Sequence, residues 1–220
     1  METKFRADYA GEFVVVESRW SGGHKQEKRE WIENPIENQH ISGRAACIGS
    51  SVDQYLFDYT RLQRHRGGLL GSKKLQTYGV GSIATQMKLD FCVETGLDSL
   101  TTLADLKYQE NNVIYTTARN CMRHPGEFYL IPNNPNLLDL AVILYLAAFD
   151  GHKEIFMLGY HNETPIQSKS WIKQIESVMN AYPGVIFCLV GESTIMPDSW
   201  MEAANTRCLN YFDFVGYCDV

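Results

Sequence analysis

The rhythm of apolar and polar positions changes once along this chain. Over residues 12–19 (EFVVVESR) and 25–32 (KQEKREWI) two extended stretches flank Trp20-Ser21-Gly22-Gly23-His24, where adjacent glycines readily take the positive φ of a tight turn. That pattern predicts a β-hairpin, and its mostly charged second strand belongs at an edge or over one end of a sheet. Beyond Asn34-Pro35-Ile36-Glu37-Asn38, short apolar runs alternate with helical stretches, as repeated β-α units of a parallel sheet do. The expected strands are 45–48, 75–78, 91–94, 112–116, 128–131, 154–158, 185–190 and 207–209; the expected helices are 82–88, 97–106, 137–149, 168–181 and 198–203. IFML at 155–158 and VIFCLV at 185–190 are unbroken apolar runs, which strands buried on both faces should be.

LLDLAVILYLAAF at 137–149 is apolar on nearly every face, so this helix should lie between the sheet and another layer. Asn136 is placed to cap its first turn, and Gly151 stands just past its end. Together these elements predict an α/β fold: a Rossmann-like, mostly parallel sheet flanked by helices over residues 41–220, preceded by an N-terminal β-hairpin extension over residues 1–40. With 220 residues the chain can bury a substantial core as one main domain.

Composition then narrows the partners. A net charge of -6 supplies no general attraction for nucleic acid or anionic membrane, so neither is expected as a partner. The longest apolar run, 137–149, is broken by Asp139 and is too short to span a bilayer, and the N-terminal residues lack a secretory apolar core. A cytoplasmic location follows as an expectation. Cys47, Cys92 and Cys188 sit in strand-like runs and should be buried, reduced thiols. Neither C-x-x-C nor zinc-spaced Cys/His groups occur, so no metal site is expected.

Ligands of open parallel sheets bind beyond the carboxyl ends of the strands, and five loops there carry suitable groups. Gly49-Ser50-Ser51 combines a glycine, which lets backbone approach an anion, with two hydroxyl donors. Gly79-Val80-Gly81-Ser82 stands before a helix start, where amides favour negative charge, although it is not G-x-G-x-x-G and no tightly bound dinucleotide cofactor is expected. Gly159-Tyr160-His161-Asn162-Glu163-Thr164 offers His161 as a general acid or base, since imidazole titrates near neutrality; an incidental polar loop accounts for it equally well. Asn133-Asn134-Pro135-Asn136 could read a base or sugar edge or be simple turn chemistry, and Gly191-Glu192-Ser193-Thr194 could line the same site. Arg61, Arg64, His65, Arg66, Lys73 and Lys74 form a cationic, glycine-bearing segment suited to closing over phosphate or to docking another subunit. The G-x-S-x-G elbow, H-E-x-x-H and the P-loop are all missing, which removes the main support for hydrolase, zinc-protease and P-loop readings.

The runs REWIENPIENQHISGRAACIGS, FDYTRLQRHRGGLLG, LQTYG, LAAFDGHKEIFMLGYHNETP and the final CDV resemble a family of small Rossmann-like proteins of large tailed bacteriophages, across nearly the whole chain. More distantly, the order of elements is similar to the bacterial lipooligosaccharide sialyltransferases and the 6-hydroxymethylpterin diphosphokinase-like proteins. Gly151-His152-Lys153-Glu154-Ile155-Phe156-Met157-Leu158-Gly159 matches their late helix-to-strand unit, while Gly49-Ser50-Ser51 stands in the first turn without its proline. The resemblance implies a nucleotide or nucleotide-sugar substrate and glycosyl or diphosphate transfer, with magnesium allowed in the second case. It implies that Gly49, Ser50 and Ser51 hold phosphate or ribose, that Gly79 and Gly81 line the same crevice, and that His161 assists proton transfer; from the loops themselves Ser82, Asn136, Arg61 and Arg64 join the candidate binding residues. The alternative is a non-catalytic phage assembly or virion component, docking other phage proteins through the aromatic stretch 211–217.

Overall fold

The computed structural model of the chain describes residues 12–33, 43–49, 58, 61–62, 75–132, 135–160, 168–192 and 196–219. Strands β1 (Glu12–Ser21) and β2 (His24–Glu33) form the expected antiparallel hairpin, in register from Glu12 opposite Glu33 to Ser21 opposite His24. Gly22 and Gly23 make its loop with φ of 60° and 81°. Side chains are strained at such angles, so two successive glycines are what let so short a turn close.

The other strands build one sheet. They are β3 (Arg44–Ile48), β4 (Gln76–Val80), β5 (Phe91–Val93), β6 (Val113–Thr116), β7 (Tyr129–Leu130), β8 (Glu154–Leu158), β9 (Ile186–Val190) and β10 (Thr206–Leu209). Their order is β10-β9-β8-β3-β4-β5-β6-β7, and every neighbouring pair is parallel. Strands β3 to β7 step outward in chain order; the chain then returns across the sheet and continues from β8 to β10 on the far side of β3. That reversal sets a topological switch point between β3 and β8.

Helices α1 (Gly81–Ala84), α2 (Leu97–Asp105), α3 (Ala118–Arg123), α4 (Asp139–Phe149), α5 (Ser168–Ala181), α6 (Asp198–Met201) and α7 (Tyr211–Asp219) connect and cover the strands. Helix α4 lies between the sheet and α5, which explains why Ala141, Val142, Ile143, Leu144, Leu146, Ala147 and Ala148 are all buried. Side chains alternate between sheet faces along each strand. Cys47 sends its thiol toward α4, with Sγ 3.6 Å from the Ile143 carbonyl oxygen. Phe156 pairs one step earlier in the register, opposite Ala46, and faces the other side, where its ring meets Phe214 and Tyr217 of α7 at 5.0 and 4.8 Å. Both faces are therefore layered with helix, as strands apolar on both sides require.

Four expectations need correction. The stretch 211–217, read as an aromatic tail for a partner, is helix α7 folded onto its own sheet. Phe214 is fully buried, and the Tyr217 ring lies 5.2 and 5.7 Å from the Arg44 and Arg207 guanidinium carbons, both of which pair with Glu154. Of the aromatic side chains in this stretch only Phe212 is exposed, at 86%. Helix α4 starts at Asp139 rather than 137, because Leu137 closes a turn onto the Pro135 carbonyl at 2.9 Å. Asn136 is exposed and does not cap it; the Leu138 amide donates instead to Gln174 Oε1 of α5 at 2.7 Å. Strand β4 runs through Gly79 and Val80, so the expected loop there is sheet and α1 is a single turn. Helix α3, too short for a legible period, is capped by the Thr117 side chain, which accepts from the Asn120 amide.

Among the described residues no helix is long and apolar enough to cross a membrane. Cys47, Cys92 and Cys188 are buried and unbridged.

Candidate functional site

The carboxyl ends of β8, β3, β4, β5 and β6 open onto a common rim. Gly49 follows β3, and Ile48 pairs with Leu158 on one side and with Gly79 on the other, so the loops after β8, β3 and β4 leave from neighbouring positions. At the switch point Gly49 donates its amide to the Leu158 carbonyl oxygen at 2.8 Å. A Cβ on Gly49 would lie 2.5 Å from the Gly159 oxygen and 3.0 Å from Leu140 Cδ2. Beside it Tyr160, fully buried, donates its hydroxyl to the Leu140 carbonyl at 3.0 Å, which fixes the first turn of α4 over the junction.

The next part of the rim is acidic. Glu94 follows β5 and is only 7% exposed. Its backbone is tied to β6: its amide donates to the Tyr115 carbonyl at 3.1 Å, and Thr116 Oγ1 donates to its carbonyl at 2.6 Å. Its Oε1 accepts the Gly96 amide at 2.8 Å, just ahead of α2. Oε2 lies over Gly81 at the start of α1, where a Cβ would approach it to 2.1 Å. Among the described residues no donor meets Oε2.

A second carboxylate, Asp139, opens α4 and accepts the Thr95 hydroxyl. Asn120 closes the arrangement from α3, with Nδ2 donating to the Thr95 carbonyl at 2.9 Å and to Thr116 Oγ1 at 3.0 Å. The carboxyls of Glu94 and Asp139 each stand near a helix start, a position that ordinarily favours the ionised form. Burial overrides this. It pushes Glu94 up to about 7, partly offset by the Gly96 amide and reinforced by the charge of Asp139. Asp139 is also raised by burial, against the Thr95 hydroxyl and amide, which favour its charge. The Cys92 thiol is pushed up by burial and then by the charges of Glu94 and Asp139. A carboxyl half-ionised at neutral pH, buried yet with one oxygen that meets no donor among the described residues, can both accept and return a proton.

The glycines singled out from the sequence do stand at or beside the rim, but each is filled by the chain's own atoms. Gly49 is packed by Gly159, Gly79 by Leu89 with Cδ1 at 2.7 Å from a would-be Cβ, and Gly81 by Glu94. Close internal packing accounts for all three without a bound anion. Ser82 is exposed, and its carbonyl accepts Thr85 Oγ1 at 2.9 Å and Gln86 Nε2 at 3.3 Å. Arg61 is exposed, with its amide donating to the Asp58 carbonyl at 3.1 Å. Ser50, Ser51, Arg64 and His161 lie outside the described residues. Among the described residues no group of three or more His, Cys, Asp or Glu is arranged to hold a metal ion.

Glu94 and Asp139 were not marked by the sequence as chemistry. The trace they leave is an acid ending the apolar run FCVE and another opening the apolar helix DLAVILYLAAF.

No protein-family description and no curated protein matches the chain. Among solved structures it is similar to the sialyltransferase CstII from Campylobacter jejuni, determined in complex with a substrate analogue, cytidine-5'-monophosphate, with 13% sequence identity and a TM-score of 0.42, covering 66% of this chain and 77% of that one.

Proposed function

We propose that this chain binds a nucleotide or nucleotide-sugar along the carboxyl rim of its sheet and transfers the glycosyl group to a hydroxyl, with Glu94 handling the proton. One observation carries this reading: a nearly buried carboxyl, pushed up to about 7 by burial and with no donor to its Oε2 among the described residues, stands on the rim of a parallel sheet two strands along from its switch point. In the transfer step the acceptor hydroxyl gives its proton to Glu94 as its oxygen bonds to the anomeric carbon. The bond from that carbon to the nucleotide phosphate breaks, and the nucleotide leaves with the electron pair.

Asp139 tunes this base. Its charge raises the affinity of Glu94 for a proton, and the bond from Thr95 holds it in place. In this proposal Ser50, Ser51 and His161, which follow β3 and β8 within three positions in the sequence, serve the phosphate and leaving-group side. No tightly bound cofactor is needed, and positioning together with electrostatic stabilisation supplies the rate.

The test is thermal-shift titration with CMP, CTP, UDP-glucose, ATP and GTP, with and without magnesium. A ligand in excess of its dissociation constant raises Tm by mass action. Stabilisation by at least one nucleotide, with turnover lost in Glu94→Gln while that nucleotide still binds, is expected. No shift with any of them retires the proposal.

A further inference from the structure

Phosphate-binding sheets commonly present bare backbone at the turn after a strand, and Gly81 at the end of β4 occupies such a place. Here the space is taken. A Cβ on Gly81 would lie 2.1 Å from Glu94 Oε2, 3.1 Å from its Cδ and 3.4 Å from its Cγ, so the Oε2 side of the carboxyl rests on the Gly81 backbone. Glu94 is not a swinging side chain: Oε1 is held by the Gly96 amide and the backbone is held at both its amide and its carbonyl. A phosphate oxygen would have to displace a fixed carboxyl, an anion above about pH 7, and then face Asp139 as well.

What remains open is Oε2, an acceptor on a side chain more than nine-tenths buried, with no donor to it among the described residues. An acceptor of this kind is satisfied by a hydroxyl and repelled by an anion. We infer that the part of the ligand meeting the β4–β5 side of the rim is an uncharged, hydroxyl-bearing ring, bonded to Glu94 Oε2, and that phosphate is excluded from the Gly81 turn. The inference rests on the proposed function for the rest of the ligand and divides the rim in two: sugar hydroxyls on the Glu94 side, anion elsewhere.

Ligand-observed NMR with a panel of neutral methyl glycosides, and calorimetry with inorganic pyrophosphate at pH 8, test it on the full chain. The comparison is wild type against Glu94→Gln, which keeps the shape and removes a buried charge, with Asp139→Asn as a second variant. The expected result is a glycoside that binds wild type and is weakened about tenfold or more by Glu94→Gln, the scale of losing one charge-assisted hydrogen bond, while pyrophosphate affinity changes less than about threefold in either variant.

Pyrophosphate binding tightened tenfold by either variant would place the anion beside the carboxylates and overturn the inference. So would a panel in which no glycoside depends on Glu94. Glycoside binding that depends on Glu94, in a protein no nucleotide stabilises, would instead remove the nucleotide reading and leave this inference standing.

Discussion

Gly49 and Gly159 touch across the seam where β3 and β8 pair: the space a Cβ of Gly49 would fill ends 2.5 Å away at the Gly159 carbonyl oxygen. The obstacle is backbone, held by the bond from the Gly49 amide to Leu158 at 2.8 Å, and it has no side-chain freedom with which to yield. Gly49→Ala should therefore destabilise the fold by about 1–3 kcal/mol through overpacking. In a chain of this length each kcal/mol lowers Tm by about 2–4 °C. Urea denaturation measures it, and a variant as stable as wild type would mean that the seam is looser than described.

Glu94 gives stability a pH dependence of definite sign. Its carboxyl keeps its proton to about pH 7 in the folded chain, against the ordinary carboxylate range when unfolded. Over that interval the folded state binds more protons, so stability falls as pH rises from about 4.5 to 7 and is flat above. Asp139 is shifted in the same direction and adds to the slope. Glu94→Gln should flatten most of this slope and, after allowing for solvent at the rim, leave the protein about 1–2 kcal/mol more stable than wild type at pH 8. Chemical denaturation at pH 5 and pH 8 reads both, and a variant less stable at pH 8 would contradict a raised Glu94.

Helix α7 is part of the core. Phe214 is fully buried against Phe156, at 5.0 Å between ring centroids. Truncation of a buried phenylalanine typically costs about 3–5 kcal/mol, so Phe214→Ala should unfold at markedly lower denaturant. Unchanged stability would return this segment to the role of an external docking surface.

The sheet was legible in the sequence because its strands are short, apolar on both faces and separated by glycine, proline and capping residues. The strand 154–158 and the helix 168–181 begin and end where the pattern put them. The pattern stumbled where tertiary contacts decide. Val80 and Gly79 read as a loop because two glycines bracket the valine, yet pairing with β5 extends the strand through both. Helix α7 read as a tail because its aromatic residues look like exposed ligands until the Phe156 ring and the Arg44–Glu154–Arg207 group are seen beneath them.

The candidate site was legible in position but not in residues. Glycine after a strand signals close approach without saying what approaches. At Gly49 it is another backbone, at Gly79 a leucine, and at Gly81 a carboxylate. The acids that define the rim are separated by 45 positions in sequence, 94 and 139, and nothing local to either shows that α4 crosses back to the end of β5.

The carboxyl carbon of Glu94 reports on the protonation of the proposed base itself. Carbon-13 NMR of glutamate-labelled protein across pH 4 to 9, free and with each nucleotide or nucleotide-sugar, follows one atom of the proposed base. A midpoint at about 7 in the free protein and a displaced resonance when the substrate binds are expected. A Glu94 that titrates in the ordinary carboxylate range and is untouched by every nucleotide would contradict that role.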